Sequence, residues 1–340
     1  MAAGQSGLRI VLAGATGTLA RDVIDVLEGR DLPVEEILPF ATSASLGEEI
    51  EFRGQSFAVR DAMPSLRGVD LVLVCTPPGP ALDVIRQALR AEAPCVDCSG
   101  SLSDSRDVPL LVSALANPSS VLGAPLIATP AGPTLALALV LAPLVAEAGL
   151  ERFSATLLRS VSRAGRRGID ALSRETLALL GQHEVPELDC FETPVAFDCI
   201  PLAVESDLPE SEARTLADLE RLLPGGDEAP EPGWLGARGQ LQAVQVPAFV
   251  SDAATLSIET QRPLSAEEAR ERLSKAPGVE CDPDAPAPSM RDAAGSDCVL
   301  VGRVDDTGGE TGLRLWLAAD SVRLSAVNAV DLAETRLRFN

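Results

Sequence analysis

The run Leu126 to Leu144, LIATPAGPTLALALVLAPL, limits what this 340-residue chain can fold into more than any other stretch. It reads as a short apolar strand, a turn broken at Thr129-Pro130-Ala131-Gly132-Pro133, and an apolar helix from about Thr134. A helix that starts straight after a strand gathers free backbone N–H groups and the positive end of its dipole, so α/β enzymes commonly set a nucleophile or an anion there. At this tip stand Ala131, Gly132 and Pro133, none of which can attack a substrate. The turn has the form of a catalytic one and lacks the chemistry.

The same strand, turn and helix order opens the chain. Leu8 to Ala13 is a β-rich apolar run, followed by Gly14-Ala15-Thr16-Gly17-Thr18-Leu19-Ala20 and a helical pattern through Leu27. Gly14 and Gly17 would let the backbone approach a pyrophosphate, with Ala20 as the third small position of a dinucleotide-binding fingerprint. Strands at Ile37–Ala41, Val69–Cys75 and Pro94–Cys98 alternate with helices, which predicts a doubly wound parallel sheet. Ligands of such sheets lie at the carboxyl ends of strands, here the turns after Ala13, Cys75, Cys98 and Ala128.

After Gly149 the pattern predicts long strands at Phe153–Val161, Leu241–Val250, Thr255–Thr260, Val299–Val304 and Leu313–Ala318. Helices are expected at Ile169–Leu180, from a Ser cap at Ser211 to Leu223, at Ala266–Leu273 and at Val322–Arg338. Pro224 to Gly239 reads as a loop carrying Trp234. Few crossovers between long strands mean a mixed or antiparallel second sheet. The face of the last helix that carries Asn328-Ala329-Val330 is expected to pack back on the first domain. The expected fold class is α/β, with a Rossmann-type doubly wound sheet and a second α+β domain.

A formal charge of −22 argues against nucleic acid and anionic membranes as partners, since both call for clustered Lys and Arg. Seven scattered cysteines, with no second spacing to pair with Cys95-Val96-Asp97-Cys98, which reads as a buried strand, lead to the expectation of a reduced, cytoplasmic protein without metal. The N-terminus reads as too short and polar for a signal peptide, and no apolar run reaches transmembrane length without Pro or charge. The single histidine, His183, lies at a helix end, where a capping contact is expected. Cys98 has no cationic neighbour in the sequence, so its thiol is expected near its ordinary pKa and inert. Arg163, Arg166 and Arg167 form either an anion site or an exposed basic loop.

In order and spacing, the landmarks resemble the aspartate-semialdehyde dehydrogenase family over nearly the whole chain. They are GATG at Gly14–Gly17, DVPLLV at Asp107–Val112, LALALVLAPL at Leu135–Leu144 and VSRAGRRG at Val161–Gly168, then AFDCIPL at Ala196–Leu202, VQVPAFV at Val244–Val250, VGR at Val301–Arg303 and GLRLWLAADSVR at Gly312–Arg323. The resemblance implies a dinucleotide-binding domain over 1–131, rejoined by a C-terminal helix at 321–340. It also implies a dimerisation domain over 132–320, with a mixed sheet. Its chemistry is attack of a cysteine thiolate on an aldehyde, hydride transfer to NADP, and release of the acyl group by phosphate.

Carried over residue by residue, the family's nucleophile position holds Gly132 and its histidine base position Asp252. The glutamine that precedes its Val-Ser-Gly-Ala-Gly loop becomes Arg159, and the arginine that grips the substrate carboxylate becomes Gln245. The phosphate-binding arginine falls at Ser103, and the arginine that selects the 2′-phosphate of NADP falls near Ala44. The cofactor positions implied are Gly14, Thr16, Gly17, Thr18, Leu19, Ser43, Thr76 and Ser99, with NADP or NAD bound weakly and little preference between them. The leading expectation is a protein without phosphorylating dehydrogenase activity, a homodimer able to associate with an active dehydrogenase. The rival is an NAD(P)-dependent oxidoreductase with altered chemistry. The intact glycine loop favours the rival, while one His and no Tyr leave it short of a proton donor.

Overall fold

The structure is a computed structural model that describes residues 7–185, 190–202, 211–224 and 233–338. The chain divides into two compact units, Met1–Ala131 with Ser325–Asn340, and Gly132–Leu324.

The first unit runs β1 (Leu8–Ala13), α1 (Thr18–Glu28), β2 (Val34–Phe40), a hairpin of β3 (Glu49–Phe52) and β4 (Gln55–Ala58), β5 (Leu71–Val74), α2 (Pro78–Arg90), β6 (Cys95–Asp97), α3 (Pro118–Leu122) and β7 (Leu126–Ala128). Five of these strands form a parallel sheet in the order β2-β1-β5-β6-β7, the Rossmann-type sheet expected. Every residue of β5 is buried, because parallel strands are covered on both faces. The β3–β4 hairpin turns at Arg53-Gly54, both at positive φ (48° and 75°), a backbone that matches the right-handed twist of its strands.

The second unit contains α4 (Gly132–Ala148), β8 (Arg152–Arg159), α5 (Gly165–Leu180), β9 (Ile200–Pro201), α6 (Glu212–Leu222), β10 (Gly239–Gln245), β11 (Asp252–Glu259), α7 (Ala266–Ser274), β12 (Val279–Glu280), β13 (Val299–Asp306), β14 (Gly312–Ala319) and the start of α8 (Ser321–Arg338). Its seven strands lie in the order β12-β13-β14-β11-β8-β10-β9, a mixed sheet in which β8 runs parallel to β10 and antiparallel to β11. The helix α4 is buried almost throughout and packs against α6 and α7. Each of its leucines contributes about 1.5–3 kcal/mol through burial. Ser211 caps α6 by accepting the Arg214 N–H.

From Ser325 onward, α8 belongs to the first unit, where Ala326, Ala329, Val330 and Ala333 join the core that contains Ile10 and Leu12. Asn328 Oδ1 accepts the Ser113 N–H at 2.7 Å. Among the described residues no helix is long and apolar enough to cross a membrane.

Several boundaries depart from the sequence reading. The predicted strand Leu241–Val250 stops at Gln245, because Pro247 has no N–H to give a ladder and Ser251 turns the chain at φ +66°. The helix α4 begins at Gly132, not near Thr134, and α5 begins at Gly165, four residues before Ile169. Residues 225–232 of the predicted Trp234 loop lie outside the described residues.

The outer face of the second sheet is largely polar. Register places Gln240, Ser154, Ser257 and Arg314 in one row across four strands, and Gln242, Thr156, Thr255 and Trp316 in the next. Only the third row, Val244, Leu158, Ala253 and Ala318, is apolar. The residues between these positions are the ones turned inward, so the apolar character of β8 and β11 is spent on the core.

Candidate active site

Each unit holds its own cluster of candidate residues. In the first, Gly14 stands at φ +74°, and a Cβ there would lie 2.8 Å from the Cys75 carbonyl oxygen, so only glycine fits the turn. The Gly14 and Ala15 N–H groups both donate to the Phe40 carbonyl, at 2.9 and 3.2 Å, which ties the loop to the end of β2. Gly17 caps α1, and Thr18 and Leu19 form its first turn, which carries no acidic residue to repel an anion. The Thr16 and Ser45 hydroxyls are 2.9 Å apart, linking the loop to the turn Ser43–Ser45.

Thr76, just past β5, has a buried hydroxyl without a hydrogen-bond partner. Ser99, past β6, gives both its N–H and its hydroxyl to Asp97 Oδ1, at 2.9 and 2.5 Å. All eight predicted cofactor residues therefore lie at the carboxyl edge of the sheet. The Gly17 N–H is donated to the Gly14 carbonyl at 2.9 Å, so a pyrophosphate would meet the N–H groups of Thr18 and Leu19, and the orphaned Thr76 hydroxyl is a donor suited to a phosphate or ribose oxygen; these residues fit a nicotinamide dinucleotide. When bound, such a group supplies hydride transfer.

Beneath this edge the thiols are suppressed. The Cys98 thiol is pushed well above its ordinary value, first by its hydrogen bond to the Cys75 thiol and then by burial, with the nearby Asp97 adding to the effect. The expected inertness therefore has a different cause, since Cys98 is perturbed and not ordinary.

In the second unit Arg159, Gln245 and Asp252 come together at the carboxyl ends of β8 and β10 and the start of β11. Arg159 and Gln245 are register partners, and the Gln245 carboxamide donates to the Arg159 carbonyl at 2.7 Å and to that of Val246 at 3.2 Å. Arg163 donates its Nε to Gln245 Oε1 at 2.6 Å and stacks over the Phe191 ring.

Asp252, 6% exposed, accepts from four donors. They are Arg159 Nε at 3.2 Å, the Ser160 N–H at 2.8 Å, the Ser160 hydroxyl at 3.3 Å and the Ser321 hydroxyl at 2.6 Å. A carboxylate bound on both oxygens holds structure together and has no lone pair directed at a substrate.

Ser321, which the sequence reading did not single out, also crowds Gly132, the position at which the resemblance puts a nucleophile. A Cβ on Gly132 would lie 2.3 Å from the Ser321 carbonyl oxygen and 2.5 Å from its Cβ. The start of α8 fills the space a side chain at 132 would need. A cavity of about 390 Å³ opens beside this cluster, lined by Arg159, Arg163, Phe191, Ile200, Glu212 and Gln245 among others.

The remaining predicted groups scatter. Arg166 pairs with Asp170 and is largely exposed, and the His183 backbone N–H, not its ring, caps α5 by donating to Ala178 O at 2.8 Å. Ser103 is buried and donates its hydroxyl to the Gly100 carbonyl. Among the described residues no three His, Cys, Asp or Glu side chains form a cluster able to hold a metal ion.

The model of the semialdehyde dehydrogenase NAD binding domain matches residues 9–122, and that of the semialdehyde dehydrogenase dimerisation domain matches residues 141–324. The aspartate-semialdehyde dehydrogenase of Aquifex aeolicus is 30% identical over 96% of this chain and 97% of its own length. The chain belongs to the semialdehyde dehydrogenase family.

A second relative, the USG-1 protein homolog of Azotobacter vinelandii, is 32% identical over 97% of each chain. The crystal structure of aspartate semialdehyde dehydrogenase II from Vibrio cholerae, complexed with ASA, superimposes with a TM-score of 0.89 at 28% identity, covering 98% of this chain and 99% of that one. The two units of this semialdehyde dehydrogenase family protein thus correspond to an NAD-binding and a dimerisation domain. Within that frame the cluster around Asp252 is a buried ion pair where the family resemblance leads one to look for a reacting group.

Proposed function

We propose that the protein is a semialdehyde dehydrogenase family member without phosphorylating aspartate-semialdehyde dehydrogenase activity, kept for nucleotide binding and for partnership. The observation that carries this reading is the packing of Ser321 over Gly132. A nucleophile is missing from that position, and the room for one is missing too. Asp252 at the base position supports the same conclusion, since its oxygens are taken up by Arg159, Ser160 and Ser321. Relatives in this range of similarity are not all named as dehydrogenases, as the Azotobacter protein illustrates.

Purified protein, freed of host dehydrogenase, is expected to give no phosphate-dependent NADPH formation from aspartate semialdehyde. Loss of one member of a nucleophile and base unit commonly costs on the order of 10⁴ to 10⁶ in rate. Turnover above buffer would overturn the reading. Gly132→Cys with Asp252→His is expected to stay inactive, because Ser103 and Gln245 leave the substrate charges unpaired and Ser321 crowds the new thiol.

In this reading the chain is a cytoplasmic homodimer formed through the second unit, and the same surface accepts an active dehydrogenase subunit. The match to a dimerisation domain supports the homodimer. The second reading, an oxidoreductase with altered chemistry, draws on the intact Gly14 loop and the orphaned Thr76 hydroxyl. Nucleotide-dependent reduction of an aldehyde panel without phosphate would favour it.

A further inference from the structure

The family resemblance places the arginine for the 2′-phosphate of NADP at Ala44, and so led to an expectation of no preference between NAD and NADP. The fold brings a different arginine to the same strand end. We infer that Arg60 takes over the 2′-phosphate contact, making the protein selective for NADP. The inference rests on reading the Gly14 loop as a nucleotide cradle.

In a doubly wound sheet the adenosine ribose lies at the end of the second strand, where an acidic residue accepts from a free 2′-hydroxyl or an arginine binds a 2′-phosphate. Here β2 ends at Phe40 and continues into Ala41-Thr42-Ser43-Ala44-Ser45, which carries neither charge. On the β1 side, the Phe40 carbonyl accepts the N–H groups of Gly14 and Ala15. On the other edge, Arg60 forms a parallel bridge with Phe40, fixed by Arg60 N–H to Pro39 O at 3.1 Å and Ala41 N–H to Arg60 O at 2.9 Å. Adjacent strands are about 4.8 Å apart, so the Arg60 backbone lies roughly 10 Å from the start of the glycine loop. That is two strand spacings, across the strand end where a ribose would sit.

The chemistry of the position agrees. The Arg60 side chain is exposed and makes no ion pair or hydrogen bond among the described residues. The other nearby cation, Arg21 on α1, is 3.8 Å from Glu48 and so is already engaged. A guanidinium can bond a phosphate through two parallel N–H groups, a geometry that neither Ser43 nor Ala44 offers. The sequence reading missed Arg60 because it is sixteen residues beyond Ala44, brought back only by the β3–β4 hairpin between them.

Calorimetry with NAD and NADP on the native chain, Arg60→Ala and Arg60→Lys tests this. Charge-assisted hydrogen bonds predict NADP binding about 10 to 100 times tighter than NAD in the native chain. The excess should shrink as salt rises, since the contact is exposed. Arg60→Ala is expected to bring NADP to the NAD level while leaving NAD unchanged, with Arg60→Lys between. Equal affinities in the native chain, or a preference that survives Arg60→Ala, would overturn the inference alone. Failure of both nucleotides to bind would overturn the cradle reading and the inference together.

Discussion

Placing a single methyl at residue 132 tests how rigidly Ser321 closes over Gly132. In Gly132→Ala the new Cβ would lie 2.3 Å from Ser321 O, 2.5 Å from Ser321 Cβ and 2.8 Å from Ser321 C. Two of these atoms are backbone, and Ser321 is itself held by its hydroxyl bond to Asp252 at 2.6 Å. Relief therefore requires the start of α8 or the first turn of α4 to move. Overpacking of this kind costs about 1–3 kcal/mol. Against it stands the gain in helix propensity of Ala over Gly, at most about 1 kcal/mol and smaller at a first helical residue. The steric cost outweighs that gain. For a unit of this size it lowers the melting temperature by roughly 2–4 °C per kcal/mol. Gly79 in α2 is the control, because a Cβ there meets nothing within 4 Å. Gly79→Ala should be neutral or slightly stabilising under the same calorimetric scan. A Gly132→Ala protein as stable as the native one would show that Ser321 yields easily, and the steric part of the case for a closed site would fail.

Three further outcomes rest on the same geometry. Asp252→Ala should destabilise by about 3–5 kcal/mol in denaturant titrations, because it strips the buried Arg159 guanidinium, 2% exposed, of a counter-charge; a loss under about 1 kcal/mol would contradict the pair's buried character. Burial raises the Asp97 carboxyl above its ordinary value of 3.8, against the opposing hydrogen bonds from Ser99. The folded state then holds that proton more tightly than the unfolded one, so the contribution is present below pH 3.8 and is lost as pH rises through the elevated folded value. Asp97→Asn should flatten this limb of the stability curve, measured by thermal melts across pH, and an unchanged slope would refute the assignment. Thr156→Arg, in the middle of the polar rows, should weaken the proposed homodimer in sedimentation equilibrium without altering the fold; a native monomer at micromolar concentration would remove the proposal.

What could be read in the sequence was whatever local chemistry decides. The Gly14–Gly17 loop, the capped α6 and the apolar α4 are each specified by residues within one turn of one another. Two features misled. The apolar letters of Val244 to Val250 outweighed Pro247, although a missing N–H ends pairing whatever the hydropathy. The outer face of the second sheet looked apolar because adjacent leucines, Leu157 and Leu158, hid the alternation of Ser154 and Thr156 with Phe153 and Ala155. The β3–β4 hairpin does carry a local signal, the alternation Glu49-Ile50-Glu51-Phe52 before Arg53-Gly54. Ser321 and Arg60 carry none. Their meaning lies in residues brought near by topology, nearly two hundred positions away for Gly132 and Ser321.

The division of α8 sets an order on synthesis. The core of the first unit is completed by Ala326, Ala329, Val330 and Ala333, which are made only after the whole of the second unit. The N-terminal 131 residues must therefore wait while the whole of Gly132–Leu324 is made, roughly 10 to 40 s at ordinary elongation rates. During that interval the second unit can fold first, reversing the usual N-to-C succession. We expect a released chain ending at Leu324 to show a protease-resistant second unit and a sensitive first one. Removal of residues 326–340 should cost the nucleotide-binding half its fold while sparing the other.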